Sequence, residues 1–159
     1  MIFLPLLLAA VAPAAADKAP APVSASDAAA VMAPLRAWFA GIDATDATAI
    51  RAQIRIDGGG GATVAVSRPD GTKLIRHITW EDYLAKIKPG EHRYHEQFTG
   101  SPMIQIDGDI AMVWGDFTLS VDGKVATCGV DHFDLVRENG AWKVQNVTWS
   151  QRTAGCPGA

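Results

Sequence analysis

The chain has 159 residues, a length typical of a single domain. Hydrophobic residues make up 48% of it and charged residues 19%, which supports a packed core and excludes a disordered or collagen-like chain. Lysine and arginine together number 14 against 17 aspartates and glutamates, giving a net charge of -3. Because no cluster of basic residues occurs, nucleic acid is not expected as a partner.

Residues 1–16 predict a secretory signal peptide. An uncharged apolar run, Ile2 to Val11, precedes Ala14-Ala15-Ala16, a small-residue cleavage pattern. No basic residue precedes the run, so an apolar anchor is the alternative, although about ten residues are too few to span a bilayer core that needs ~20. We therefore expect a periplasmic or secreted protein without a membrane span after signal removal. A Pro/Ala linker is expected over residues 17–26 and one domain over residues 27–155.

The two cysteines, Cys128 and Cys156, predict a disulfide. In an oxidising compartment an even pair of cysteines more often forms a bridge than remains free. A two-thiolate metal site lacks suitably spaced partners. The bridge would close a loop of about 28 residues and hold the C-terminal tail.

The N-terminal half predicts helices first. Apolar residues spaced by three and four predict an amphipathic helix from Ser26 to about Gly41. Pro34 indicates either a kink in this helix or a later start, near Ala33. A short second helix follows, capped at Thr45 or Asp46, and the glycines of 58–61 predict a flexible turn.

A hairpin and a third helix come next. Residues 62–67 and 73–78 alternate as strands on either side of the turn signal Arg68-Pro69-Asp70-Gly71. Thr79, followed by acidic residues, predicts the cap of a helix that Pro89-Gly90 would end.

From Glu91 onward the pattern has a period of two. Turn dipeptides at 107–108, 122–123 and 139–140 separate four long strands, which predicts an antiparallel meander. Helices followed by such a sheet indicate an α+β domain in which the sheet wraps around the helices and leaves a pocket at its open end.

Counting outward from the turns at 122–123 and 139–140 sorts the strand residues into two faces, provided that no β-bulge intervenes. One face contains Met112, Trp114, Asp116, Phe133, Leu135, Trp142, Val144, Asn146 and Thr148. The other contains Val113, Phe117, Val130, His132, Asp134, Gln145, Val147 and Trp149. Both faces are largely apolar, so one is expected on the helices and the other against a second copy of the chain, in a homodimer.

The predicted arrangement of elements and the C-terminal motifs resemble the nuclear transport factor 2-like superfamily, also called the cystatin-like cone fold. The resemblance covers about residues 28–152 and is carried by a G-D-x-A-x-V run at 108–113, Asp122-Gly123 and a G-x-W-K-V run at 140–144. It implies an α+β, cone-shaped fold with N-terminal helices packed in a curved antiparallel sheet. The superfamily includes SnoaL-like proteins, isomerases, dehydratases and non-catalytic binding domains, so the fold alone implies no single activity.

Residues 128–134 and 148–150 also resemble the end of ketosteroid isomerase, in which an acid and a tryptophan line the pocket. The resemblance implies that Asp134 and Trp149 face inward together with His132 and Val130. The tyrosine that this enzyme carries on its first helix has no counterpart here, so steroid isomerisation itself is not expected.

His132 and Asp134 are the candidate catalytic pair, because a base and an orienting carboxylate two residues apart on a strand point the same way. A polar pair at the cone rim is the alternative, and Asp131 replaces them if a bulge shifts the register. His92 and His95 fall on opposite strand faces, so no metal site is predicted, and no cofactor is implied.

The sequence therefore predicts an exported domain that binds a small, largely apolar molecule. The expected pocket residues are Trp38, Tyr83, Val113, Phe117, Val130, Val147 and Trp149. One alternative is an acid/base enzyme of the isomerase or dehydratase type that uses Asp134 or His132. Another is a structural or interaction module whose cavity is filled by its own side chains.

Overall fold

A computed structural model describes residues 22–158, so the predicted signal peptide lies outside the described part of the chain. The helices are α1 (Ala25–Asp43), α2 (Ala47–Arg51) and α3 (Trp80–Leu84), with a 3-10 turn at Ile56–Gly58. The strands are β1 (Gly61–Ser67), β2 (Lys73–Thr79), β3 (Tyr94–Phe98), β4 (Met103–Asp107), β5 (Ile110–Val121), β6 (Lys124–Glu138) and β7 (Ala141–Arg152). No helix among residues 22–158 is long and apolar enough to cross a bilayer.

Helix α1 is longer than predicted at both ends. Its N-cap is Ser24, whose hydroxyl accepts a backbone N–H of the first turn at 3.1 Å. The helix runs through Pro34 and ends at Asp43. Gly41 does not end it: a Cβ at this position would lie 2.6 Å from Ile50 Cγ1. Glycine is therefore needed there so that α2 can pack closely on α1.

The hairpin of β1 and β2 and the cap of α3 are confirmed. Thr79 caps α3 by accepting the backbone N–H of Asp82 at 3.1 Å. Helix α3 ends at Leu84, five residues before the predicted stop at Pro89, so a short connection leads from the helix into β3.

The seven strands form one curved sheet in the order β2-β1-β7-β6-β5-β3, and β4 also pairs with β5. All strand pairs are antiparallel except β1 with β7, which is parallel. The hairpin of β1 and β2 thus joins the sheet beside the last strand. The first of the four predicted long strands is divided into β3 and β4, which lie end to end along β5. Gly115 of β5 faces the break, and a Cβ there would lie 2.8 Å from the Phe98 ring.

A β-bulge in β6 overturns the predicted face of that strand. Counting from the turn at Asp122-Gly123 gives the correct pairs as far as Ser120 with Val125. The next residue of β5, Leu119, pairs with Thr127 instead of Ala126. Ala126 is therefore an extra residue, and every side chain of β6 beyond it exchanges faces.

A second bulge lies in β7. Leu135 pairs with Val144, but Asp134 pairs with Asn146, which leaves Gln145 as the extra residue. Gly60 accommodates it: a Cβ there would lie 1.8 Å from the Gln145 carbonyl oxygen. The predicted flexible turn at the glycines is thus partly a close backbone contact.

The two bulges correct the predicted faces. Val130, His132 and Asp134 lie on the outer face of the sheet rather than the inner one. Four residues that were predicted on the face of Met112 and Trp114 pack in the core: Phe133, Leu135, Trp142 and Val144. The predictions for Val113, Phe117, Val147 and Trp149 hold, because these residues do face the helices.

The core lies between α1 and the concave face of the sheet. Val31, Leu35, Trp38 and Ile42 form the buried stripe of α1. At one end of the sheet the predicted disulfide between Cys128 and Cys156 is formed and fixes the C-terminal tail to β6.

Candidate functional site

A cavity of about 290 Å³ opens between the helices and the concave face of the sheet. Its inner walls combine aromatic and aliphatic side chains with two carboxyl groups, and its mouth carries hydroxyl, amide and lysine side chains. The lining residues are Trp38, Ile42, Thr45, Tyr83, Lys86, Ile87, Lys88, Tyr94, Glu96, Phe117, Leu119, Thr127, Asp131, Phe133, Val147, Trp149 and Gln151.

Trp38 forms the aromatic centre of the inner wall. It is 1% exposed, and its ring centroid lies 5.3 Å from that of Tyr83, 5.8 Å from Phe133 and 5.7 Å from Trp80. The contacts with Phe133 and Trp80 are edge-to-face, an arrangement that favours fixed rather than sliding rings. The wall against which a ligand would pack is therefore preformed.

Five predicted pocket residues line this cavity: Trp38, Tyr83, Phe117, Val147 and Trp149. Val113 is fully buried in the core and does not line it. Val130 lies on the outer face of the sheet and is not a pocket residue.

The predicted catalytic pair lies outside the cavity. His132 Nε2 is 3.3 Å from Asp134 Oδ1, so the two side chains are adjacent as expected, but both are on the outer face. The His132 ring centroid is 5.7 Å from that of Trp114, which is 48% exposed. The bulge at Ala126 thus separates the pair from the pocket. Across residues 22–158, no group of three or more His, Cys, Asp or Glu side chains is placed to hold a metal ion.

The acidic groups of the cavity are Asp131 and Glu96. Asp131, the reserve candidate of the sequence, is 2% exposed, and its Oδ2 atom has no hydrogen-bond partner among the described residues. Burial, with a smaller contribution from Glu96, raises the pKa of Asp131 well above its usual range. Burial, followed by repulsion from Asp43, raises the pKa of Glu96 to about 7. The two carboxyl groups are therefore close enough that ionisation of one opposes ionisation of the other.

Tyr83 joins these acids from the opposite wall. Burial is the main cause that raises the pKa of its phenol well above the usual range, and the charges of Glu96 and Asp131 add to it. At neutral pH the phenol is therefore a neutral hydrogen-bond donor.

Glu96 was missed at the level of sequence, although a signal for it exists. Glu96 lies two residues after Tyr94 on the same strand face, and both residues line the cavity. The neighbouring His95 points the other way, and its Nδ1 lies 2.9 Å from Asp43 Oδ2. That contact raises the pKa of His95 and ties the end of α1 to β3 beside the cavity.

The raised pKa of Asp131 makes a prediction about stability. Above the ordinary aspartate pKa near 4, the unfolded chain ionises while the folded chain still holds its proton, so stability falls as the pH rises. The substitution Asp131→Asn removes this loss. We expect it to raise the free energy of unfolding at pH 8 and to change it little near pH 4. Guanidinium denaturation at the two pH values measures the difference.

Asp134→Asn is the matched control for this measurement. Asp134 lies three residues along the same strand but on the outer face, where its side chain is 48% exposed. Its substitution is expected to change stability by less than about 0.5 kcal/mol at either pH. Equal effects of Asp131→Asn at both pH values would contradict the buried, protonated acid.

Comparisons with known proteins identify the fold. No protein-family model matches the sequence, and no curated protein matches it. The chain is similar to a protein of unknown function with a cystatin-like fold from Nostoc punctiforme, at 16% identity and a TM-score of 0.58 over 85% of this chain and 97% of that one. It is also similar to a nuclear transport factor 2-like protein of unknown function from Shewanella baltica, at 15% identity and a TM-score of 0.57 over 82% and 98%.

A third similar structure is a candidate aromatic ring hydroxylase from Novosphingobium aromaticivorans, at 16% identity and a TM-score of 0.58 over 81% of this chain and 91% of that one. At such identities the likeness establishes the fold alone. The chain thus has the nuclear transport factor 2-like cone fold that its sequence motifs predict, and its function must be argued from the cavity.

Proposed function

We propose that the protein is an exported domain that binds a small, largely apolar molecule in the cavity between its helices and its sheet. The observation that carries this proposal is the cavity of about 290 Å³, whose inner walls are mostly aromatic and aliphatic with a few polar groups among them. Concave, mostly apolar sites with a few polar groups are the usual form of small-molecule sites.

The arrangement of the polar groups suggests how a ligand would be oriented. Tyr83 and Asp131 reach the inner part of the cavity from opposite walls, and Glu96 approaches from β3. An apolar body would pack on Trp38 and Phe133 while its polar group meets these side chains. The hypothesis of a cavity filled by its own side chains does not fit, because this space is open.

Acid/base catalysis is a second candidate function, and one observation favours it. Glu96 has a pKa of about 7, the range in which a carboxylate serves well as a general base at neutral pH. Asp131, held protonated beside it, would be the complementary acid. In this hypothesis the chemistry belongs to Glu96 and Asp131, not to the His132 and Asp134 pair.

Export and a homodimer belong to the same proposal. The disulfide is of the kind that persists in oxidising compartments, which supports a periplasmic or secreted location. On the outer face of the sheet, Met103, Ile110 and Trp114 are each about half exposed. Met103 pairs with Trp114 across β4 and β5, so these apolar side chains form part of a continuous patch, which a second copy of the chain would cover.

Ligand binding is tested with a variant that fills the cavity. Thr127 lines the mouth, and Thr127→Trp is expected to weaken binding of the neutral probe 2-phenylethanol by about tenfold or more, since overpacking costs about 1 to 3 kcal/mol. Calorimetric titration measures the change. Thr148→Trp, on an exposed position of β7, is the matched control and should bind as the wild type does.

Native mass spectrometry of the protein purified from its own cells completes the test. A small molecule lost on denaturation would support the binding function, and the native mass also gives the number of subunits. A bare chain that binds no 2-phenylethanol would contradict the proposal.

A further inference from the structure

The charge of a suitable ligand can be argued from the acidic groups in the cavity, on the premise that the cavity binds a small molecule as proposed above. Neither Glu96 nor Asp131 forms an ion pair within residues 22–158. The nearest basic side chains of the lining are Lys86 and Lys88, which are exposed at the mouth. The raised pKa of Glu96 is caused by burial, followed by repulsion from Asp43.

Two coupled carboxyl groups in a buried site share protons rather than ionise together. Once the first of them ionises, the cavity holds one negative charge without a basic partner. A buried charge is unfavourable unless it is paired and hydrogen-bonded. The side chains of the cavity supply no positive charge to pair with it, so a ligand would have to bring one.

The walls around this charge suit a cation as well. Trp38, Tyr83, Phe133 and Trp149 all line the cavity. The faces of aromatic rings attract ammonium groups, most strongly where water is excluded. The carboxyl groups and the aromatic rings thus both favour a positively charged ligand.

An anionic ligand fits this arrangement poorly. Inside the cavity it would meet the two carboxyl groups, whereas the lysines at the mouth are in water, where their attraction is weak and screened by salt. A neutral ligand could accept hydrogen bonds from Tyr83 and from a protonated carboxyl group, but it would leave the negative charge unpaired.

We infer that the preferred ligand is a cationic organic amine, with its ammonium group between Glu96 and Asp131 and its apolar body against Trp38 and Phe133. Asp131 Oδ2, which has no hydrogen-bond partner within the described chain, then accepts an N–H of the ammonium group. Glu96, which is partly buried on the same sheet wall, accepts a second one.

The pH dependence follows from the groups that face Glu96. These are Asp43 from α1, Tyr83 from α3, Lys86 and Lys88 after α3, Tyr94 from β3, and Asp131 from β6. His95 lies on the other face of β3 and contacts Asp43. In the empty cavity Glu96 has a pKa of about 7. A bound cation favours the ionised form and lowers that pKa. Amine binding should therefore release protons near neutral pH and weaken when both carboxyl groups are protonated.

The test compares three probes that share one apolar body: 2-phenylethylamine, 2-phenylethanol and phenylacetate. Each is titrated calorimetrically into the full-length protein at pH 8 and at about pH 5.5, in two buffers of different ionisation enthalpy. At pH 8 the amine is expected to bind at least about tenfold more tightly than the alcohol, the ratio expected for one charge-assisted hydrogen bond. Phenylacetate should bind most weakly, and the preference for the amine should decrease at pH 5.5.

Variants then locate the amine. Glu96→Gln and Asp131→Asn should each reduce the ratio of amine to alcohol affinity, and the double variant should abolish it. Asp134→Asn changes a carboxyl group of the same strand on the outer face and should leave the ratio unchanged.

The outcomes separate this inference from the proposed function. If the alcohol binds and the amine has no advantage at pH 8, the ligand is not a cation although the cavity still binds apolar molecules. If none of the three probes binds, both proposals are wrong. If the preference for the amine survives in the double variant, the amine binds elsewhere and the inference is overturned.

Discussion

Replacing Trp38 with alanine is expected to lower the free energy of unfolding by about 3 to 5 kcal/mol, the range for removing a large aromatic side chain from a core. Trp38 is 1% exposed and contacts three other aromatic rings, of Trp80, Tyr83 and Phe133. These rings also form the cavity wall and cannot all close over the space left behind. Guanidinium denaturation followed by circular dichroism measures the loss.

Trp114→Ala is the matched control, because it removes the same side chain from the outer face of the sheet. Trp114 is 48% exposed, so its substitution should cost about 1 kcal/mol or less in the monomer. Similar losses in the two variants at low protein concentration would contradict the assigned faces, which depend on the register of β5 with β6 and of β6 with β7.

Removing the disulfide is expected to have the second largest effect. The bridge joins residues 28 positions apart, and loop-closure entropy predicts a loss of about 3 to 4 kcal/mol when it is opened. Cys156→Ser opens the bridge while Cys128 stays buried in β6, so the core itself is unchanged. Denaturant unfolding of the variant and of the wild type gives the loss, and proteolysis of residues 153–158 should become faster.

Wild-type protein reduced with dithiothreitol should lose the same amount as the Cys156→Ser variant. The agreement matters because it separates the covalent link from any effect of the new serine. A difference between oxidised and reduced wild type below about 1 kcal/mol would contradict a stabilising role for the bridge.

The candidate site could be predicted only in part. Trp38 and Tyr83 are predictable as aromatic residues on the apolar sides of helices, and Trp149 through the resemblance to ketosteroid isomerase. Glu96 was missed, although the alternation that begins at Tyr94 places it on the same face. Asp131 was correctly linked to a bulge, but no residue of β6 signals where a bulge occurs.

The sequence by itself determined the features that depend on neighbouring residues. The hairpin turns at Asp122-Gly123 and Asn139-Gly140 adopt the left-handed backbone that these residues favour, with φ between 51° and 80°. The cap of α3 at Thr79 and the pairing of the two cysteines are likewise predictable from the sequence. In each case the energetic preference is local or is carried by the covalent chemistry of the pair.

Tertiary structure alone decided which face of β6 meets the helices. One extra residue in a strand reverses every side chain beyond it, and its cost is small compared with the burial of Phe133 and Leu135 that it permits. The second bulge, at Gln145, depends on Gly60, a residue 85 positions away whose missing side chain makes room for it. Because such contacts form only in the folded chain, the inward position of Asp131 could not be assigned from local pattern alone.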